Sequence, residues 1–344
     1  MKTRFKDIDF ETQCKEELDE FFNDRHKTAP KRVDNAPVKR VELHAHTQMS
    51  EMDGLVSARD LIERAAEWGY NAIAITDSDV VQAFPEAYRE SKGKNIKVIY
   101  GADVKLRKSG RDYAATVLVK NPDGLKNLYK LISLSHTEYL CEKTETPYMP
   151  IEVIAAHRVG LLIGSGCSGG DVYNAIHRGD PEEEICGIAK FYDYLELDVT
   201  EDESANTVIA RIGETLDKPV VAVGDSRYLD PEDKAAHRIL RKSRGHEYSD
   251  NRANYHFRTT GDMLTELVYL GKDKAYEVVV TNSNLIADMI EEMPPIPEGY
   301  FPPAIDGADK EIMQICNARA KEIYGETLPD NVKEILDYEL RNCN

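Results

Sequence analysis

Several things are missing from this chain, and each absence narrows its function. No apolar run is long enough to cross a membrane. The N-terminus lacks a signal peptide, because no apolar stretch follows its charged start. Six cysteines (Cys14, Cys141, Cys167, Cys186, Cys316, Cys343) are scattered without C-x-x-C spacing. That argues against a disulfide framework and a zinc ribbon, and it suits a reducing cytoplasm. There is no internal repeat. Positive charge is in deficit: 44 Lys and Arg face 62 Asp and Glu, a net charge of −18. A surface this acidic repels nucleic-acid phosphates unless it holds a local basic groove. The chain alone is therefore expected to bind DNA weakly at physiological salt.

What is present begins with two histidines one residue apart. His44 and His46 follow the apolar run V-E-L and open the segment H-A-H-T-Q-M-S-E-M-D-G. On a strand, residues i and i+2 face the same side, so two imidazoles there can grip one metal ion. The polar run that follows ends in Asp53 and Gly54 and supplies a further carboxylate. The plain alternative is a pair of surface histidines at a strand end.

The 344 residues suffice for one large α/β domain or two smaller ones. Residues 1–36 read as a charged helical extension running into a proline-containing linker. Seven short apolar runs then alternate with helical patterns: 41–43, 72–76, 97–101, 115–119, 160–164, 194–199 and 219–224. Strands interleaved with helices imply a parallel sheet, open or closed, over a main domain at 37–293. Ser57 and Asp60 form a capping box for the first helix, and Gly69 ends it. Helices are expected over 231–243 and 261–293. Residues 294–344 read as a proline-rich connector and two helices broken near Gly325.

Ligand-type residues recur at the ends of the apolar runs. His44 and His46 end the first, Asp77 and Ser78 the second, and Asp103 the third; Cys167 follows the fifth and Asp225 the seventh. In (β/α) barrels, groups at the C-terminal ends of strands converge on one mouth. Singly each has a bland reading, as a cap, a turn or a core thiol. Asp77 reads as a structural cap more than as a base. His26, His157, His177, His237, His246 and His256 read as surface or packing residues.

The segment V-E-L-H-A-H-T-Q-M-S-E-M-D-G, followed by I-T-D-x-x-V-V-Q-A-F-P-E-A, resembles the polymerase and histidinol phosphatase (PHP) domain. The resemblance extends to the PolC-type alpha subunit of bacterial DNA polymerase III through L-V-K-N-P-D-G-L-K-N-L-Y-K-L-I-S-L-S-H, G-L-L-I-G-S-G-C, K-P-V-V-A-V-G-D, Y-L-D-P-E-D, H-F-R-T-T and I-A-D-M-I-E-E. It covers roughly residues 33–344. It implies a distorted seven-stranded (β/α) TIM-like barrel that binds divalent metals. It also implies that the family's inserted exonuclease is replaced by the short turn R-K-S-G around 104–113, and that no polymerase palm is present.

By position, the resemblance makes His44, His46, Asp53, Asp103, His136, Cys167 and Asp225 candidate ligands, with up to two ions of Zn or Mn. Three positions depart from the family: Ser78 and Arg227 stand where it has histidines, and Asp103 where it has a glutamate. The Asp stem is shorter by one C–C bond, about 1.5 Å. Ser78, Arg227 and Asp53 fall on one metal position, which is therefore expected to hold no metal. Arg227 would there pair with Asp53 or bind a phosphate bidentately. If the centre is active, Asp103 bridges metals and Arg227 orients a phosphate ester. The competing readings are a non-catalytic module supporting polymerase or replisome subunits and, more remotely, an amidohydrolase, against which no lysine stands at a middle strand end.

Overall fold

The computed structural model describes residues 31–200, 202–243, 254–297, 299 and 305–342. Most of the helical pattern read over 1–36 lies outside the described residues. The chain divides into two compact units, Met1–Ile296 and Pro297–Asn344.

The first unit is mixed α/β. Helix α1 (Ala58–Glu67) starts as its sequence demands: the Ser57 side chain accepts from the Asp60 backbone N–H at 3.0 Å. Its apolar face, Leu61, Ile62 and Ala65, is buried, and Gly69 closes it at φ 78°. Strand β1 (Ala72–Ile75) pairs in parallel with β2 (Lys97–Lys108). Every β1 residue is buried, as in a strand covered on both faces.

Here the structure corrects the all-parallel expectation. Strand β3 (Arg111–Val119) runs antiparallel to β2, and β7 (Leu161–Gly164) runs antiparallel to β3. The cause is the R-K-S-G turn. Ser109 and Gly110 take φ of 50° and 77° between the paired residues Lys108 and Arg111. Two successive positive φ values suit the right-handed twist of a hairpin, which reverses the chain in two residues. A parallel neighbour would need a crossover of a dozen or more residues.

Strands β8 (Leu195–Asp198) and β9 (Val220–Val223) form a separate parallel pair. The expected strand 41–43 makes no ladder; it touches its neighbours through isolated bridges at Glu42–Ile73 and Ala45–Ser226. A further bridge, Gly164–Tyr194, joins β7 to β8. Among the described residues the ladders therefore form separate sheets and do not close into a continuous barrel. Short strands β4 (Leu140–Cys141), β5 (Thr146–Pro147) and β6 (Met149–Pro150) complete the set; β6 pairs with β2.

The strands sort their side chains by period two. Val41, Leu43, Ala72, Ala74, Ile99, Leu118, Leu162, Tyr194, Val221 and Val223 form one buried cluster with Cys167. Their neighbours Ile73, Ile75, Val98, Tyr100, Val117, Ile163, Leu195 and Ala222 pack into another, with the helices. Where both faces of a strand are apolar, polar chemistry is left to its end; β8 differs, with Glu196 and Asp198 buried on one face.

The run 261–293 is not one helix. It breaks into Thr260–Glu266, Lys272–Tyr276 and Asn282–Asp288, with Gly271 at φ 88° and a π turn at Glu277–Thr281. The described part of the linker, 31–36, is tied down. Asp34 is buried and accepts from the Ala36 and Thr260 backbone N–H groups at 2.9 and 2.7 Å. In the second unit, helices Ala308–Tyr324 and Asp330–Asn342 flank Gly325 at φ 88°.

Candidate metal centre

The segment after Leu43 carries His44 and His46 into a fully buried position. It is anchored to the segment after β9: His46 N–H donates to the Ser226 carbonyl at 2.8 Å, and Ser226 N–H to the His44 carbonyl at 3.1 Å. Beneath them lies Glu42, also buried. It accepts from Arg40 at 2.7 Å and from the His44 and Gly224 N–H groups at 3.1 and 3.2 Å. Asp77 organises the loop on the other side. It accepts from the Thr47 N–H at 2.6 Å, the Thr47 hydroxyl at 2.8 Å and the Ser50 hydroxyl at 2.7 Å. These donors occupy both its oxygens. Asp77 thus acts as a buried brace for the H-A-H-T loop, in keeping with the cap reading.

The two imidazoles meet through their Nε2 atoms, 3.2 Å apart. Asp225 Oδ1 lies 3.1 Å from His46 Nε2 and 3.9 Å from His44 Nε2. Asp225 holds φ 44°, a left-handed conformation that costs a non-glycine residue energy and aims its carboxylate at the histidines. Asp103 Oδ2 is 3.9 Å from His44 Nε2. On the opposite edge of the His44 ring, Nδ1 lies 3.3 Å from Cys167 Sγ and 3.4 Å from Glu196 Oε2.

His136 is not brought into this cluster. It sits exposed in the last turn of the helix Pro122–Thr137, with Nδ1 against the Ile132 carbonyl at 2.9 Å. Ser78 offers only a hydroxyl, 3.4 Å from His46 Nδ1. Two acids of the cluster are ones the sequence reading passed over, Glu196 and Asp198 at the end of β8. Their signal was available: L-E-L-D places two carboxylates at i and i+2, on one face of an apolar strand.

Arg227 fills the ground between Asp53 and Asp225. Its guanidinium pairs with Asp53 Oδ2 and with Asp225 Oδ2, the latter at 2.9 Å, and lies over the Tyr255 ring. Of the surface-or-packing alternatives His237 takes the second: it is buried, with Nε2 3.2 Å from Asp53 Oδ1. Arg241 Nε is 3.9 Å from the same oxygen. Asp53 is therefore surrounded by basic groups.

The electrostatics describe a pocket short of positive charge. Burial lifts the Asp103 carboxyl to about 7, against the pull of His44. Burial, with Asp225 nearby, lifts Asp198 to about 6. On His44, burial opposes the charge, but Glu196, Asp225 and Asp103 outweigh it and raise the imidazole to about 10. Burial pushes the Cys167 thiol well up. Burial lowers Arg227 to about 10, which leaves it charged at neutral pH. Among the described residues, Asp103 Oδ1, Glu196 Oε1 and Asp225 Oδ1 are buried with no hydrogen bond; the Asp225–His46 contact has the distance but not the alignment of one. Orphaned carboxylate oxygens beside two imidazoles and a thiol fit a divalent cation. Two groups have donor atoms close enough to share one ion: His44, His46 and Asp225; and His44, Cys167 and Glu196.

Residues 42–199 match the family model described as PHP domain, so the chain carries a PHP domain there. It is homologous to DNA polymerase III PolC-type. It is 40% identical over 242 residues to that of Clostridium perfringens, covering 66% of this chain and 16% of the relative. With the Bacillus subtilis protein it shares 42% over 251 residues, 67% of this chain and 17% of the relative. The chain thus spans about a sixth of the length of these relatives. Against the Halalkalibacterium halodurans protein the identity is 29%, covering 93% of this chain and 38% of the relative. That alignment runs over 545 positions although the chain has 344 residues, so a long stretch of the relative has no counterpart here. Among solved structures, the chain is similar to a Bifidobacterium adolescentis protein assigned as a metal-dependent phosphoesterase. The TM-score is 0.43 at 15% identity, covering 55% of this chain and 88% of that one. It is also similar to an amidohydrolase from Chromobacterium violaceum, with TM-score 0.40 at 13% identity, covering 55% and 87%. Among the described residues no helix is long and apolar enough to cross a membrane.

Proposed function

We propose that this chain is the metal-binding PHP module of a PolC-type replicative polymerase. Two of the family's metal positions keep ligands, and a guanidinium replaces the third. The observation that carries the reading is the convergence of His44 Nε2, His46 Nε2 and Asp225 Oδ1 within 3.1–3.9 Å of one another, fully buried and short of cations. Asp103, beside His44, completes that side. Zn or Mn suits the donors: the thiolate side favours Zn, the carboxylate side accepts Mn. Bound there, a divalent ion supplies Lewis-acid charge for the oxygens of a phosphoester.

The chain's own residues set how far that chemistry goes. Arg227 is the natural phosphate clamp, yet both its Asp53 and its Asp225 contacts are internal. A phosphate must compete with two carboxylates for it. Asp103 carries the shorter stem, and His136 stands outside the cluster. Together these favour a module with at most weak hydrolysis, whose main work is to support polymerase or other replisome subunits in the cytoplasm. We assign 37–293 to the PHP domain, as a distorted seven-stranded barrel. The isolated bridges between its sheets and the shared inner cluster of alternate strand residues support that assignment. An active two-metal phosphoesterase acting on phosphate esters or nucleic-acid ends is the second reading, favoured by the intact His44–His46–Asp225 group.

Metal analysis of the purified chain, with a chromogenic phosphodiester assay under Zn and Mn, tests both readings. The first expects one or two bound ions and hydrolysis near background, with His46→Ala lowering the metal content. Metal-free protein would end both readings; brisk turnover abolished by His46→Ala would favour the second.

A further inference from the structure

The Cys167 side of the centre has an unexpected partner. Cys167 Sγ lies 3.3 Å from His44 Nδ1 and 3.5 Å from Glu196 Oε2, and Glu196 Oε2 lies 3.4 Å from His44 Nδ1. All three side chains are buried. With Zn–N and Zn–O bonds of about 2.0–2.2 Å and Zn–S of about 2.3 Å, two tetrahedral ligands stand about 3.4–3.6 Å apart. The three separations fall on or just below that range. Glu196 is held there from behind: its N–H donates to the Ser165 hydroxyl at 3.0 Å, and Gly164 offers no side chain to push it away. Its second oxygen, Oε1, is buried with no hydrogen bond among the described residues, which leaves the carboxylate short of a cation.

We infer that Cys167, Glu196 and His44 Nδ1 form a soft-metal site, distinct from the His44–His46–Asp225 position and in competition with it. The inference rests on the metal-binding reading above and goes beyond it by assigning a ligand, Glu196, and an edge of the His44 ring. Competition follows from the imidazole itself. A neutral ring has one nitrogen with a free lone pair, and the other carries the proton. When Nδ1 binds the ion beside Cys167, Nε2 keeps its hydrogen and is lost to the His46–Asp225 position. A thiolate-containing set prefers Zn over Mn, whereas the set without sulfur accepts Mn. Zn at Cys167 therefore displaces Mn from His44–His46–Asp225 and sets which position is filled.

Cobalt as a Zn surrogate, titrated into the metal-free chain, tests this. Cobalt bound to Cys167 gives a thiolate-to-cobalt charge-transfer band in the near ultraviolet. The band is expected in the parent chain and in His46→Ala. It is expected to be lost in Cys167→Ser and to need at least about tenfold more cobalt in Glu196→Gln, a loss of the size that changes around a metal cause. Mn binding, counted by electron paramagnetic resonance in the absence of other metals, should survive in Cys167→Ser and in Glu196→Gln. Far-ultraviolet circular dichroism checks that each variant folds. The opposite pattern overturns the inference: Glu196→Gln keeps the charge-transfer band but loses Mn. Glu196 would then only orient His44 from behind. Absence of the band in the folded parent chain also overturns it. Failure of the cobalt-free parent chain to bind Mn, with the band still formed when cobalt alone is added, would instead count against the His44–His46–Asp225 position alone.

Discussion

Arg227 and Asp225 are joined at 2.9 Å through one carboxylate oxygen, while the other oxygen of Asp225 faces His46 at 3.1 Å. One acid thus serves a fixed organic cation on one side and the candidate metal position on the other. The arrangement neutralises Asp53 without an ion and holds Asp225 to a single free oxygen. A guanidinium cannot be removed by a chelator, so this part of the pocket stays assembled whatever the metal supply.

Replacing that cation should reopen the position. Ser78→His combined with Arg227→His returns two imidazoles beside Asp53, and the bound divalent metal is expected to rise by one ion per chain. Without added metal the double variant should be destabilised by about 3 kcal/mol, because Asp53 and Asp225 lose their partner, at the lower end for breaking a buried pair. Elemental analysis and thermal melts with and without Mn check both parts. An unchanged metal count would mean that Arg227 is not what keeps the position free of metal.

Acid should weaken the fold through His256. Burial, then Arg258 and Arg32, depress its imidazole to about 3, with Asp262 and Asp230 pulling weakly the other way. A depressed folded value makes the sign clear: the unfolded chain takes up a proton near 6.5 and the folded chain does not. The contribution is present above 6.5 and is lost as pH falls toward 3. At pH 5 the loss is about 2 kcal/mol. The denaturant midpoint should fall between pH 7 and 5, and His256→Asn should flatten that slope. A slope identical in the variant would assign the acid sensitivity elsewhere.

How much of this was legible in the residues differs from place to place. The H-x-H pair, Asp225 and Cys167 could be found because ligand-type side chains at apolar strand ends have few structural uses. Helix α1 was legible from Ser57 and Gly69, whose chemistry is local. Strand direction was misread, although the R-K-S-G turn already demanded an antiparallel hairpin; counting strands as though each were followed by a helix overrode it. Glu196 and Asp198 were overlooked because an acid inside a strand usually marks its solvent face, and only the packing around β8 shows that this face is interior. The place of His136 depends on where its helix ends relative to the sheet, which no local pattern encodes.

The Ser109–Gly110 turn should accept a long insertion. It joins two paired strands at their tips, and both its residues are exposed. Entropy rises slowly with loop length, about 0.6 kcal/mol per doubling. A flexible insert of about 20 residues at a tip of this kind should therefore cost no more than about 2 kcal/mol. The melting temperature and the cobalt charge-transfer band should both survive. Loss of the band would show that β3 needs the tight turn to hold Thr116, whose hydroxyl lies 3.4 Å from His44 Nδ1, in place.

Gly164 is the position where one methyl group should do most harm to the centre. A Cβ there would stand 2.3 Å from Glu196 Oε1 and 2.5 Å from the Tyr194 ring, well inside van der Waals contact. Both side chains are fully buried, so neither can swing into solvent. Overpacking of this sort costs about 1–3 kcal/mol. Gly164→Ala should lower the urea midpoint by a corresponding amount. Because Glu196 must move, the variant should also need more cobalt to develop the thiolate band, while Mn binding at His44–His46–Asp225 changes less. A variant as stable as the parent, with an unaltered cobalt titration, would show that β7 and β8 can part without disturbing Glu196.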